Sequence, residues 1–161
     1  MTTIVVGPGA ALSQALSALG EVVTIDVEGV EETIWQTLVA LQAARPSMPE
    51  GGRIVLILPT IGLAGAAGLV DLCTAVEGIR AMAKSAARQW ASVGIGVNVI
   101  AAPLSLFAAE ADTTHLTAPA VPDAATLPHA VVETARFLLR SDLDQLTGDT
   151  VVVDGGAVML P

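Results

Sequence analysis

The sequence predicts an α/β protein, a doubly wound parallel sheet with helices on both faces. Short aliphatic and β-branched runs alternate along the chain with longer segments of helical spacing, which is the element order of parallel sheets. Hydrophobic residues make up 53% of the 161 residues, but aromatic residues only 2%. The core must therefore consist of aliphatic side chains, which is typical of strands that are buried on both faces.

The first three predicted elements are a strand, a helix and a strand. The β-branched run at residues 3–6 predicts a strand that ends at the turn GPG. Leucines at helical spacing predict a helix over residues 10–19, and Gly20 ends it. The segment EVVTID at residues 21–26 predicts the second strand.

The middle of the chain predicts two helices around a third strand. Apolar residues at helical spacing predict a helix over residues 31–44, which the segment RPSMPEGG ends. The unbroken apolar run RIVLIL at residues 53–58 predicts a strand that is covered on both faces. Residues 66–91 predict a long helix, because their charged residues fall within one half of the helical wheel.

The last third of the chain predicts two further strands. They lie at residues 95–101 and 150–153, separated by a long loop at 103–128 and a helix that runs from Pro128 to about residue 140. Right-handed crossovers place successive strands side by side, and one reversal after the first unit gives the order 2-1-3-4-5. We therefore predict about five parallel strands in a single domain over residues 1–161.

Composition excludes several classes of function. The net charge is −9 with only seven Lys and Arg residues, which argues against nucleic-acid binding. The longest uncharged run, between Arg88 and Glu110, contains Gly94, Gly96, Asn98 and Pro103, so we predict no membrane span.

Two features of the sequence predict a cytoplasmic protein. A secretory signal would require basic residues near the start of the chain, but none precedes Arg45. Cys73 is the only cysteine, so no internal disulfide can form.

Three segments carry a resemblance to a known family. They are GGRIVLILPTIGLAG, KSAARQWASVGIGVNVIAAP and FLLRSDLDQLTGDTVVVDGG. In this order they resemble the short-chain dehydrogenase/reductase family, with the oxoacyl-reductase branch nearest. The resemblance implies a Rossmann-like three-layer sandwich and hydride transfer from NAD(P), with a serine, a tyrosine and a lysine as catalytic residues.

The positions that the resemblance assigns to catalysis hold apolar residues. The family's serine falls at Pro59, its tyrosine at Leu72 and its lysine at Val76, and the chain contains no tyrosine at all. The asparagine of the family's proton relay has no counterpart, since Asn98 is the only asparagine and lies in a predicted strand. These losses remove the general acid and its partners. We predict no catalytic residue at these positions.

The cofactor side is shortened as well. The family's glycine-rich turn is reduced to Gly7-Pro8-Gly9, and its third and fourth strands with the helix between them are missing after Asp26. This loss also yields the flavodoxin-like strand order. Gly7, Gly9 and Asp26 remain as weak candidates for nucleotide contacts. We expect this chain to bind no cofactor, and NAD(P) to be carried by a partner subunit.

Other candidate sites are weaker. His115 and His129 lie 14 residues apart and match no metal-ligand spacing, so we predict no metal. A hydrolytic set of Ser105, Asp112 and His115 lacks a nucleophile elbow, and Cys73 is predicted to be a buried thiol.

The long helix and the C-terminal region predict association. The apolar arc of the helix is wider than one sheet face covers. The family resemblance places subunit contacts on this helix together with the preceding helix at residues 31–44, and on the last helix, the last strand and the C-terminal tail over residues 132–161. The candidate interface residues are Leu72, Val76, Ile79, Met82, Trp90, Phe137, Val153 and Met159.

Three functional hypotheses remain open. The first is a non-catalytic subunit that associates with an active NAD(P)-dependent short-chain dehydrogenase acting on a hydroxyacyl or oxoacyl thioester. The second is a homo-oligomeric protein that binds a small ligand in a loop-covered cleft at the carboxyl ends of the strands. The third is a divergent enzyme that uses Asp26, Asp71 or Glu77.

Overall fold

A parallel sheet of five strands forms the centre of the structure. The computed structural model describes residues 1–7, 9–108, 118–121 and 124–159. Every neighbouring pair of strands is parallel, and the order is β2-β1-β3-β4-β5, which confirms the predicted fold class and strand order. The strands are β1 (Thr2–Val6), β2 (Glu21–Ile25), β3 (Gly52–Pro59), β4 (Ile95–Ala102) and β5 (Thr150–Val152).

Helices cover both faces of this sheet. In the described part of the chain they are α1 (Ala10–Leu16), α2 (Val30–Ala44), α3 (Ile61–Ala64), α4 (Val70–Trp90) and α5 (Leu127–Leu138). Alternate strand residues divide the core in two, because successive side chains of a strand point to opposite faces. One half packs against α2 and α4, and the other against α1 and α5.

The predicted long helix starts later than its sequence pattern indicates. The prediction began it at residue 66, whereas α4 begins at Val70 after the single turn of α3. Gly65 and Gly68 adopt positive φ angles of 71° and 78°, a conformation that interrupts a right-handed helix. Among the described residues, no helix combines the length and hydropathy that crossing a bilayer would need.

The apolar arc of α4 is largely covered inside the chain itself. Val76, Ile79 and Trp90 belong to the core that α4 shares with the sheet and α2. The expectation that these three side chains lie on an exposed interface is therefore wrong. Leu72 and Met82 are partly buried at the edge of the same core. The sheet and α2 together cover the wide arc, which a single flat face would leave exposed.

Asn98 holds the segment before β5 against β4. This side chain is buried, its Nδ2 donates to the carbonyl of Leu146 at 2.9 Å, and its Oδ1 accepts the amide N–H of Asp149 at 3.1 Å. Thr147 accepts the amide N–H of Val97 through its hydroxyl at 3.1 Å. Because both ends of the amide are used, Asn98 fixes where β5 enters the sheet.

Replacing Asn98 by alanine is expected to lower the free energy of unfolding by about 2 kcal/mol, since two part-buried hydrogen bonds to the backbone are lost with a buried side chain. Urea unfolding followed by circular dichroism measures the change. The substitution Gln42→Ala on the exposed side of α2 is the control, with an expected change below about 0.5 kcal/mol. Equal stability of the two variants would contradict this role of Asn98.

Arg53 is the other buried polar group that joins distant segments. Its guanidinium donates to the carbonyls of Gly52, Gly94, Arg140 and Ser141 at 2.9 to 3.2 Å, and to Asp144 at 2.6 Å. Arg53 is 5% exposed. It therefore connects the start of β3 with the chain that follows α5.

A surface ion pair lies next to this connection. Arg140 donates to both carboxylate oxygens of Asp142, at 2.8 and 2.5 Å. This hydrogen bond lowers the pKa of the Asp142 carboxyl below its ordinary value and raises the pKa of Arg140. Both side chains are exposed, so the pair adds little to stability.

Candidate functional site

A cavity of about 480 Å³ opens at the carboxyl ends of β3, β4 and β5. Its described walls come from residues within 60–64 after β3, 103–105 after β4, 118–121 and 124–130 around the start of α5, and 153–158 after β5. The carboxyl edge of an open parallel sheet is where such folds place their ligands. The volume lies within the range of small-molecule sites.

The walls of the cavity are mostly aliphatic, with few polar groups. The described lining contains the hydroxyl groups of Thr60, Ser105 and Thr126 and the carboxylate of Asp154. Asp154 is buried, and its two oxygens accept the amide N–H groups of Gly156 at 2.9 Å and Val158 at 2.7 Å. Asp154 therefore shapes the C-terminal turn, and the three hydroxyl groups are the side chains suited to donate to a ligand.

The three positions that the family resemblance assigns to catalysis do not form a polar site. Pro59 is the buried last residue of β3. Leu72 is partly buried against the core, and Val76, one turn further along α4, is fully buried in that core. None of the three lines the described part of the cavity. A side chain at position 76 points into the hydrophobic core in this conformation.

The turn between β1 and α1 is covered by the chain's own residues. Gly7 has a φ of 128°, and a Cβ placed on it would lie 3.0 Å from Cδ1 of Phe107. A Cβ on Gly9 would lie 3.8 Å from the carbonyl oxygen of Leu106. Phe107 is 3% exposed and packs in the core beside α1.

This packing decides whether the turn can hold a dinucleotide. The family uses glycines there so that the pyrophosphate can approach the backbone. Here the phenyl ring of Phe107 fills the space directly above Gly7, and α1 spans only seven residues. Asp26 is exposed just beyond β2. The residues present do not fit a bound dinucleotide phosphate.

The remaining acidic and thiol candidates lie apart from the cavity lining. Glu77 accepts a hydrogen bond from Arg80 at 2.6 Å, and Asp71 is exposed in the first turn of α4. Cys73 donates weakly to the carbonyl of Ile61 at 3.5 Å. Asp26, Asp71 and Glu77 are absent from the described lining, so the hypothesis of a divergent enzyme gains no support from their placement.

The histidine candidates do not form a described site. His115 and Asp112, which form the candidate hydrolytic set with Ser105, lie outside the described residues. His129 is exposed on α5. Within residues 1–7, 9–108, 118–121 and 124–159, no group of three His, Cys, Asp or Glu side chains could hold a metal ion.

Phe107, Thr60 and Thr126 are the site features that sequence reasoning missed, whereas Ser105 was named only as part of the hydrolytic set. Phe107 is one of only two phenylalanines in a chain poor in rings, and a large ring directly after a strand and a short turn was the available signal. Thr60 follows the position of the family's serine by one residue, and that neighbouring hydroxyl was overlooked.

The outer face of α2 and α4 contains a shallow groove with exposed apolar residues around it. The groove measures about 490 Å³ and is lined in part by Leu38, Met82 and Gln89. On α2, Trp35 is 59% exposed and Val39 is 45% exposed. This face belongs to the helix pair on which the family resemblance places a subunit contact.

The predicted C-terminal interface residues are accessible. Phe137 on α5 is 47% exposed and Met159 is 76% exposed. Val153 is half-buried and packs against the core beside α5. Val153 directly follows β5, the edge strand at the opposite side of the sheet from β2.

The fold and the cleft at the carboxyl edge define the chain as a Rossmann-like protein, and comparison with known proteins gives its family. Residues 10–158 match the family model described as enoyl-(acyl carrier protein) reductase. The chain belongs to the short-chain dehydrogenase/reductase family, and within it resembles oxoacyl reductases.

Two curated relatives carry the oxoacyl-reductase resemblance. The 3-oxoacyl-(acyl-carrier-protein) reductases FabG of Salmonella typhimurium and Salmonella typhi are each 32% identical over 114 residues. The match covers 68% of this chain and 47% of each relative. The chain thus spans about half the length of the curated relatives that it matches.

Solved structures agree with the fold. A short-chain type dehydrogenase/reductase from Mycobacterium ulcerans is 16% identical with a TM-score of 0.69, over 97% of this chain and 89% of that one. A blue fluorescent protein from a metagenomic library, solved in complex with NADPH, is 18% identical with a TM-score of 0.70, over 98% of both chains. At these identities the likeness concerns the fold.

Proposed function

We propose that this chain is a non-catalytic subunit that associates with a full-length, NAD(P)-dependent short-chain dehydrogenase acting on a hydroxyacyl or oxoacyl thioester. The observation that carries the proposal is the burial of Val76 at the position of the family's lysine. The partner supplies the cofactor and the catalytic residues, while this chain supplies contact surface.

The chemistry of the family requires a proton donor beside the substrate carbonyl. The position of the family's tyrosine holds Leu72, whose side chain carries no proton to give. Val76 cannot replace a lysine that lowers the pKa of a tyrosine, since it is apolar and enclosed by the core. These two residues support a chain without the family's acid–base chemistry.

The β1–α1 turn supports the same proposal on the cofactor side. The ring of Phe107 packs against Gly7, a glycine of the turn that in the family approaches the dinucleotide phosphates. Displacing a buried phenyl ring would cost about 3 kcal/mol or more. Closure of this turn by the chain's own core is the expected property of a subunit that leaves the cofactor to its partner.

Two surfaces are suited to bind the partner. The first comprises Trp35, Val39 and the groove between α2 and α4, and the second comprises Phe137 and Met159. Large exposed apolar side chains that cluster on one helix face are characteristic of protein contacts. Trp and Phe are also enriched among the residues that dominate binding energy.

Co-expression with full-length short-chain dehydrogenases from the same source tests the proposal. We expect co-elution with one of them in size-exclusion chromatography, and no NAD(P)H oxidation by the isolated chain with an oxoacyl thioester. The substitution Trp35→Glu is expected to weaken the complex at least tenfold. Val27→Glu, another exposed apolar site, is the control. Reductase activity of the isolated chain would refute the proposal.

The cavity favours one second candidate, a homo-oligomeric protein that binds a small ligand without redox chemistry. The observation behind it is the open, mostly aliphatic cleft of about 480 Å³ at the carboxyl edge of the sheet. A thermal shift of the isolated chain with a small ligand would favour this candidate. The two candidates differ in what is measured: the second candidate predicts ligand binding by the isolated chain, whereas the first predicts association with a partner dehydrogenase.

A further inference from the structure

We infer that the cavity at the carboxyl edge of the sheet accepts an uncharged, largely aliphatic ligand with one hydrogen-bonding group, and rejects anionic ligands. The inference rests on the second candidate function and names its class of ligand. It follows from the absence of Lys and Arg from the described lining, the position of one carboxylate and the presence of three hydroxyl residues.

No Lys or Arg belongs to any described segment that lines the cavity. The sequence contains no Lys or Arg between Arg88 and Arg136, and segments 60–64 and 153–158 contain none either. Arg136 lies on α5 and pairs with Glu133 on the surface. A carboxylate or phosphate that entered the cavity would lose water without gaining a charged partner, which is strongly unfavourable.

The existing charge of the cavity is negative. Asp154 lines it, and its carboxylate is fixed by two backbone N–H groups. A bound anion would face this carboxylate across an apolar space of low dielectric constant, where repulsion is strong. The chain as a whole carries a net charge of −9, which adds to the repulsion.

The polar groups of the lining are suited to a neutral ligand. Thr60 follows β3, Ser105 follows β4, and Thr126 precedes α5. Each hydroxyl can both donate and accept a hydrogen bond, so one alcohol, aldehyde or ketone oxygen can be satisfied there. Ile61, Leu104 and Leu127 supply aliphatic surface for the rest of the ligand.

The same turn closes the nucleotide site and builds this cavity. The short helical turn Leu104–Leu106 follows β4, and Phe107 comes directly after it. Leu104 and Ser105 face the cavity, while Phe107 packs on Gly7. The cavity is therefore separated from the β1–α1 turn by the chain's own side chains, and a ligand needs no nucleotide next to it.

A matched pair of probes tests the ligand class. The purified chain is titrated with 1-octanol and with octanoate, and binding is followed by thermal denaturation and by calorimetry. We expect 1-octanol at about tenfold excess over its Kd to raise Tm by about 3–5 °C, and octanoate to bind at least tenfold more weakly. Equal binding of octanoate would overturn the ligand class but leave the second candidate function intact.

Three variants locate the binding. Ala130→Phe fills the cavity from α5 and is expected to weaken 1-octanol binding at least tenfold, whereas Ala43→Phe on the opposite face of the sheet leaves it unchanged. Ser105→Arg adds a cation at an exposed lining position and is expected to reverse the preference toward octanoate. Unchanged binding by both lining variants, or binding of neither probe, would overturn the inference. Neither result bears on the subunit proposal, which co-elution with a partner tests separately.

Discussion

Replacing Arg53 by methionine is expected to lower the free energy of unfolding by about 3 kcal/mol. Methionine keeps much of the side-chain volume but removes every donor. The carbonyls of Gly94, Arg140 and Ser141 then lose the N–H groups that they accept, within a region that Arg53 fills at 5% exposure. Chemical denaturation followed by circular dichroism measures the loss.

The ion pair of Arg53 provides the control. Asp144 accepts from Arg53 at 2.6 Å, but its side chain is 78% exposed. An exposed carboxylate contributes about 1 kcal/mol or less, so Asp144→Asn is expected to have a small effect. If Asp144→Asn destabilised the chain as much as Arg53→Met, the ion pair rather than the carbonyl contacts would be the stabilising interaction.

Replacing Phe107 by alanine is expected to lower the free energy of unfolding by about 3–4 kcal/mol. The substitution removes a buried ring from the core between α1 and α5 and leaves a cavity above Gly7. Hydrogen exchange should report the loss as faster exchange of the amides of α1, since Leu12 and Leu16 belong to the same core. The global stability is measured by denaturant unfolding.

The other phenylalanine is a matched control. Phe137 carries the same side chain at 47% exposure, so Phe137→Ala is expected to change the stability of the isolated chain by less than about 1 kcal/mol. If the two substitutions had equal effects, Phe107 would not hold the β1–α1 turn, and the argument that it excludes a dinucleotide phosphate would fail.

The strands and their order could be predicted from the sequence because they depend on local patterns. The run RIVLIL is apolar at every position after its arginine, as a strand covered on both faces requires, and it became β3. The order 2-1-3-4-5 followed from the number of units and one reversal, together with the segments that the chain lacks relative to its family. Both arguments needed no knowledge of individual contacts.

The features that decide the site could not be predicted in this way. The contact between Gly7 and Phe107 joins residues 100 positions apart, and the bonds of Arg53 reach Arg140 and Ser141. Such contacts depend on the packed arrangement of the whole sheet. The general place of the cleft was predictable from the fold, whereas its lining by segments 103–105 and 153–158 was not.

Helical periodicity also did not show which surface covers the apolar arc of α4. The spacing of Val76, Ile79 and Trp90 shows that one broad side is apolar, but it does not distinguish a sheet, a neighbouring helix or a second subunit as the covering surface. In the structure the sheet and α2 cover these three residues. The exposed residues Trp35 and Val39 come from α2, the helix that the family resemblance paired with α4 in the expected subunit contact.

The turn at residues 104–107 contacts both the β1–α1 turn and the cavity, so a change that opens one of them alters the other. A variant that used the space beside Gly7 for a nucleotide would have to move Phe107 away from this glycine. The segment from Pro103 to Ala108 would move with it, because three backbone hydrogen bonds run from Leu106, Phe107 and Ala108 to Pro103 and Leu104. The cavity would then lose Leu104 and Ser105 from its lining. Selection for nucleotide binding and selection for binding of an uncharged ligand in the cavity would thus favour different conformations of this short segment.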